Sequence, residues 1–159
     1  PTVFRYIDWL ITVPLQIVEF YLILAAVTIV SVRVFWKLLI ASLVMLIGGY
    51  LGEVGYVDAT IGFILGMAGW LYIIFEIFKG EASKVNASSG NLASQKAFKT
   101  IRLIVTFGWA IYPIGYFLAY LGGGTNDSET LNIVYNLADL VNKAAFGLAI
   151  WVAAISDSE

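Results

Sequence analysis

Tyr135-Asn136-Leu137-Ala138-Asp139-Leu140-Val141-Asn142-Lys143 lies inside a long apolar run, Leu131 to Ile155, and sets a primary amine one helical turn after a carboxylate. Side chains at i and i+4 share one face of a helix. Ionisable groups at membrane depth are costly, so an amine and an acid retained there together need a chemical reason. The best one is a lysine committed to a covalent cofactor. The plainer reading, an ion pair that locks two helices, stays open at this point.

The rest of the chain supports the membrane setting. Of 159 residues, 60% are apolar and 15% aromatic, and 13% are charged, against roughly 25% in an ordinary soluble domain. Cysteine and histidine are both absent, which excludes disulfides, thiol chemistry and an ordinary zinc site, so no metal is expected. The net charge of −2 points to no class of partner, and no nucleic-acid partner is expected.

Runs near the ~20 residues that cross hydrocarbon fall at about 4–26, 35–52, 59–78, 98–121 and 131–155. They are continuously apolar and so read as helices of a single transmembrane domain, not as barrel strands. The longer polar stretch from Gly80 to Gln95 reads as a mobile loop. Arg33, Lys37, Lys79, Lys84, Lys96, Lys99 and Arg102 cluster at alternate connectors, which the positive-inside rule places in the cytoplasm together with the C-terminal tail. The other connectors hold Glu53, Asp58, Asp127 and Glu129 without Lys or Arg and should face outward, where these acids are loose candidates for proton release.

Arg5 and Lys143 are the basic residues left over, and both sit beside acids within apolar spans. In the first span Arg5 and Asp8 are i, i+3, Asp8 and Thr12 are i, i+4, and Glu19 follows Asp8 at i+11. Eleven steps of ~100° return to nearly the same face, and at ~1.5 Å each they separate the two acids by roughly 16 Å along the axis. A transmembrane proton path needs such a layout, with an acceptor beside a central titratable group and a donor that reloads it. The protonated acid is the cheaper form in hydrocarbon, so Glu19, with no basic residue nearby in sequence, should hold its proton. Asp8, near Arg5 and a cationic Lys143, should ionise more readily, which splits the two into donor and acceptor. Alternatively, Glu19 could bind a polar lipid group and Arg5 could snorkel to the interface.

Three ordered motifs resemble one known family. Arg5-Tyr6-Ile7-Asp8-Trp9-Leu10 with Thr12-Val13-Pro14, then Trp109-Ala110-Ile111-Tyr112-Pro113 with Gly115-Tyr116, and finally Asp139 with Lys143 are similar to the third, sixth and seventh helices of the microbial rhodopsins, most of all the proteorhodopsins. The likeness covers essentially the whole chain. It implies an all-α, seven-helix membrane bundle of which this chain supplies about five helices, the third to the seventh. The first two are then expected in the same native protein or in a separate chain.

The resemblance also implies a function, that of a light-driven outward proton pump of the bacterial inner membrane, a transporter and not an enzyme. Lys143 would carry all-trans retinal as a protonated Schiff base, with Asp8 and Asp139 as counterions. Asp8 would be the primary proton acceptor, Glu19 the proton donor and Arg5 the outer-side cation that responds to the charge on Asp8. Trp9, Trp70, Trp109, Tyr112 and Tyr116 match positions that enclose retinal, Met45 and Gly49 lie near its ring, and Thr12, Pro113 and Asn142 complete the expected binding set. Trp36 and Trp151 are expected to be packing or interfacial residues. Pro14 and Pro113 each remove a backbone donor within a helix and should bend it. Gln16, two turns after Asp8, stands where proteorhodopsins differ in colour, and a polar amide there resembles the blue-absorbing group. A ring-shaped homo-oligomer in the lipid bilayer is the implied assembly. Two other functions remain: a photosensor, distinguished by a slower cycle, and a retinal-free transporter or scaffold, distinguished by the absence of a visible band when retinal is added.

Overall fold

A computed structural model describes residues 2–123 and 128–158. Asp127, one of the acids assigned to the outer connectors, falls outside the described residues. The elements are α1 (Thr2–Val27), α2 (Val32–Glu53), α3 (Ala59–Phe78), the short α4 (Glu81–Ser88), α5 (Leu92–Leu103), α6 (Ile111–Tyr116) and α7 (Ser128–Ser158), with π-helical turns at Ile104–Gly108 and Phe117–Leu121 on either side of α6. Among the described residues, five helical stretches are long and apolar enough to cross a membrane: Thr2–Val27, Val32–Glu53, Ala59–Ser88, Leu92–Leu121 and Glu129–Ser158.

The stretch from Gly80 to Gln95, expected to be a mobile loop, is instead almost wholly helical. Its composition is polar, yet Glu, Ala and Lys are good helix formers. The starting cap is supplied from outside the segment, since the Glu76 carboxylate accepts the backbone N–H groups of Glu81 at 2.9 Å and Ala82 at 3.2 Å. Asn91 then caps α5 by accepting the Ser94 N–H at 2.8 Å, and Gly90, at φ +71°, makes the turn between the two helices.

α2 and α3 pack most closely, because glycines line their contact. A Cβ at Gly62 would meet Gly52 Cα at 2.6 Å, and one at Gly69 would meet the Ala41 carbonyl oxygen at 2.6 Å. Small residues at this spacing let helix backbones approach where hydrocarbon offers no hydrophobic driving force. Farther along the bundle, Phe20 of α1 stacks edge-on against Phe98 of α5 at 5.5 Å and Phe146 of α7 at 5.6 Å, so one aromatic knot joins three helices.

α1 continues as helix through Pro14. Around Pro113 the backbone pattern changes, and the change is useful. Proline has no N–H for the Trp109 carbonyl, which takes the Tyr112 N–H at 3.1 Å instead. The Gly108 carbonyl, relieved of Tyr112, accepts the Asn142 amide of α7 at 3.0 Å. In the preceding π turn Trp109 N–H bonds back to the Ile104 carbonyl at 3.1 Å, which leaves the Val105 carbonyl for Trp70 Nε1–H of α3 at 2.9 Å. Each irregularity thus exchanges an internal helix bond for a bond to another helix.

α1, α2, α3, the α5–α6 stretch and α7 succeed one another around a central cavity. The flank between α1 and α7 is open: Ile11 and Leu15 on one helix and Leu137, Leu140 and Val141 on the other are exposed. Trp36 and Trp151 are also exposed.

Candidate functional site

Lys143 reaches from α7 across to α1. Its Nζ lies 2.5 Å from Asp8 Oδ2 and 3.6 Å from Asp139 Oδ2. The i, i+4 spacing brings Asp139 and Lys143 together, but the shorter contact is the one between helices.

The two carboxylates are held very differently. Asp139 accepts Trp9 Nε1–H at 2.8 Å and the Tyr112 hydroxyl at 2.5 Å, so α1 and the sixth-helix motif both clamp it. Asp8 has Lys143 as the hydrogen-bond partner of its carboxylate among the described residues, and its side chain is 47% exposed toward the open flank. The Thr12 hydroxyl turns back to the Asp8 backbone carbonyl at 2.9 Å and does not touch the carboxylate.

Beside this cluster is the cavity, walled almost entirely by apolar and aromatic side chains. Of the expected binding set, Trp9, Gln16, Met45, Gly49, Trp70, Trp109, Tyr112, Pro113, Tyr116, Asn142 and Lys143 line it, with Asp139. Thr12 is absent from the lining. Trp9 and Tyr112 meet edge-to-face at 5.1 Å, and Tyr135 joins them at 5.7 Å and 5.4 Å respectively. A Cβ at Gly49 would meet the Tyr6 hydroxyl at 2.8 Å, so glycine is what lets that ring enter. Gln16 is buried with its amide nitrogen unpartnered, a polar atom aimed at an apolar space.

Glu19 lies on α1, partly buried, well inward of Asp8 and outside the cavity lining. Arg5 does not snorkel: it is buried, and its guanidinium bonds to Glu53 at 2.6 Å and Asn132 at 2.5 Å. Glu53, assigned from sequence to an outward connector, is the last residue of α2 and its side chain is only 1% exposed. The apolar run ends at Gly52, but the helix takes one more residue because Arg5 and the Tyr6 hydroxyl, at 3.3 Å, receive its carboxylate. Asp58 is an exposed cap of α3, and Glu129 is exposed near the start of α7.

Sequence reading missed Tyr135, whose hydroxyl donates to the Tyr112 carbonyl at 2.8 Å. A signal was present, since Tyr135, Asp139, Asn142 and Lys143 fall at i, i+4, i+7 and i+8 on one helical face.

Comparison with known proteins matches residues 1–157 to a family model described as bacteriorhodopsin-like protein. The chain belongs to the bacteriorhodopsin-like family. It is 54% identical over 158 residues to the green-light absorbing proteorhodopsin of Gamma-proteobacterium EBAC31A08, and 54% identical over 159 residues to the blue-light absorbing proteorhodopsin of Gamma-proteobacterium Hot 75m4, covering 99% of this chain in both cases. The chain spans 63% of the length of each of these curated relatives. Among solved structures, the blue light-absorbing proteorhodopsin from Med12 is similar at 64% identity and a TM-score of 0.80, over 99% of this chain and 68% of that one. The expectation of a rhodopsin-type helical membrane fold agrees with these findings.

Proposed function

We propose that this chain carries the working core of a light-driven outward proton pump of the blue-absorbing kind, with all-trans retinal bound covalently through Lys143. One observation carries the reading: the Lys143 amine, at the edge of an aromatic cavity, lies beside two carboxylates, of which Asp139 is clamped by two rings and Asp8 is held by Lys143 alone among the described residues. The residues suit such a group, since a polyene needs flat apolar walls, an amine to attach to and an anion to balance a cationic linkage, and the lining supplies all three. Retinal, when bound, supplies visible absorption and a light-driven change of shape.

The protein's own groups then divide the work. Asp139 accepts a bond on each carboxylate oxygen, from Trp9 and from Tyr112, and donors of this kind favour its charged form, so it serves as a fixed negative charge beside the Lys143 nitrogen. Asp8 accepts a bond from Lys143 alone among the described residues, so its carboxylate can take the proton from that nitrogen without giving up another donor. Glu19, roughly 16 Å inward on the same helix, holds a proton for return to the nitrogen from the cytoplasmic side. Val13, Ile17 and Phe20, buried between and around the two acids, keep water out of the direct route.

Basic residues concentrated at the α1–α2 and α3–α5 connections support a cytoplasmic placement of those ends and of the C-terminus in a bacterial inner membrane. Two further helices, of the same protein or of another chain, would cover the flank where Asp8 is exposed, and a ring-shaped homo-oligomer is the assembly proposed for the whole. Gln16 in the cavity lining supports the blue-absorbing assignment, while green and blue relatives are equally similar in identity.

The test uses the full-length protein with all-trans retinal in vesicles. Light should acidify the outer side, Asp8→Asn should abolish that signal, and Lys143→Ala should lose the visible band. Outward acidification that persists in Asp8→Asn would reject the acceptor role.

A further inference from the structure

A groove runs between α5 and α7 on the outside of the bundle, sharing no residue with the central cavity. Ala93 and Ala97 line it from α5, and Ala145, Ala149 and Ala153 from α7, with about 430 Å³ left open. Its lips, Leu92, Leu148 and Val152, are exposed. Small side chains let membrane helices close on one another, as Gly52 and Gly62 do between α2 and α3. Here the helices have not closed. Folded proteins hold few voids larger than a water molecule, so a gap of this size calls for an occupant.

Three features define that occupant. The groove is apolar in effect, because its two hydroxyls are spent on their own helices: Thr100 donates to the Lys96 carbonyl at 3.0 Å and Ser156 to the Val152 carbonyl at 2.8 Å. Apolar space without polar partners does not hold water. Its length fits one leaflet. Ala145 to Ser156 is eleven steps of ~1.5 Å, roughly 16 Å, against about 15 Å for half of a ~30 Å hydrocarbon core.

The third feature is charge at one end. Lys96 lines the groove just before the apolar run that starts at Phe98, and Lys99 follows at i+3. Neither lysine has an ion-pair partner among the described residues. The acid at this end, Asp157, accepts the Asn91 amide at 2.5 Å and pairs with neither of them. No residue of α1 lines the groove, so the two further helices proposed for the α1–α7 flank would leave it open.

We propose that the α5–α7 groove binds one anionic phospholipid of the adjoining leaflet, with an acyl chain along the alanines and the phosphate at Lys96. Under the orientation proposed above that leaflet is the cytoplasmic one, whose surface is negative. The chemistry of the groove does not depend on that orientation, nor on the pigment.

Native mass spectrometry of the full-length protein tests this, after release from bilayer discs of phosphatidylglycerol and phosphatidylcholine with identical chains. The unsubstituted protein should retain one lipid, chiefly phosphatidylglycerol. Lys96→Gln should lower phosphatidylglycerol retention about fivefold, the effect of one cation near a membrane surface, and leave phosphatidylcholine almost unchanged. Ala149→Leu fills the groove and should weaken retention of both lipids about tenfold. Ala145→Leu gives the same reading if Ala149→Leu does not fold. Lys84→Gln, a cation of α4 outside the groove, should change nothing. As a second readout, added phosphatidylglycerol should raise the melting temperature of the unsubstituted protein and not that of Ala149→Leu. Full retention in folded Ala149→Leu and Ala145→Leu, or equal losses in Lys96→Gln and Lys84→Gln, would overturn the proposal. A change of oligomeric state in Ala149→Leu with lipid retention intact would assign the groove to a second copy of the chain and overturn it as well.

Discussion

Removing the Asp139 carboxylate should destabilise the protein more than removing its charge alone. Asp139 receives Trp9 Nε1–H at 2.8 Å and the Tyr112 hydroxyl at 2.5 Å, both donors being on rings that are buried or half-buried in the cavity wall. Asp139→Ala leaves both without an acceptor. A buried donor without a partner costs about 1–3 kcal/mol, and hydrogen bonds between membrane helices fall near the lower end of that range, so about 2–4 kcal/mol is expected for the two. Asp139→Asn keeps one carbonyl acceptor, which can serve one donor, and should cost about half as much. For a chain of this size each kcal/mol corresponds to about 2–4 °C in Tm, so Asp139→Ala should melt roughly 5–15 °C below the unsubstituted protein, with Asp139→Asn between them. Thermal loss of the visible band of the full-length pigment, or of near-ultraviolet dichroism where no pigment forms, gives the measurement. Tyr112→Phe removes one of the two donors, so Asp139→Ala should cost about half as much in that background as in the unsubstituted one. Equal melting of Asp139→Ala and the unsubstituted protein, or strict additivity with Tyr112→Phe, would refute the view that Asp139 is clamped.

Gln16→Leu removes the unpartnered amide from the cavity lining and should move the visible band to longer wavelength; an unmoved band would reject Gln16 as a colour determinant. Gly62→Val would drive a side chain into the Gly52 backbone, since even a Cβ would sit 2.6 Å from Gly52 Cα, and overpacking of this kind should cost about 1–3 kcal/mol, read as a lowered melting temperature. Glu76→Ala strips the cap from α4 and should cost about 1 kcal/mol locally, seen as faster proteolysis between Gly80 and Gln95 with the spans intact. Asp58, at the exposed start of α3, has its carboxyl held below the ordinary aspartate value of 3.8 chiefly by the Thr60 N–H. Its folded pKa is depressed, so its contribution to α3 is fully present above that value and fades as pH falls below it. Asn caps a helix start about as well as Asp but does not titrate, so Asp58→Asn should flatten the acid limb of the stability curve and leave the neutral region nearly unchanged.

The spans were legible because hydrocarbon demands long apolar runs, and the lysine cluster was legible because i, i+4 spacing fixes a shared face. Three features were hidden for definable reasons. The helix at Glu81–Ser88 depends on a cap lent by Glu76, a buried acid of the preceding helix that composition reads as one more charge near a polar loop. The burial of Glu53 depends on Arg5, 48 positions away, so the end of the apolar run looked like the end of the span. The rerouted bonds around Pro113 were half visible: proline predicts a lost donor, but not that the freed Gly108 carbonyl would bond to Asn142.

Asp8 and Asp139 bear the same functional group beside the same lysine, and no rule of spacing separates their roles. What separates them is the number of donors each holds when it takes up a proton. Protonating Asp139 would weaken the indole and phenol bonds that also hold α1 and α6 against α7, because a neutral carboxyl accepts less strongly than a carboxylate. The Asp8 carboxylate holds only the bond from Lys143 among the described residues, and Lys143 is the group that the proposed transfer would itself discharge. On the proposed transfer, a proton moving from that lysine to Asp8 would remove both members of an ion pair together and leave the clamp on Asp139 standing. Such a site would change its charge while the bundle keeps its shape.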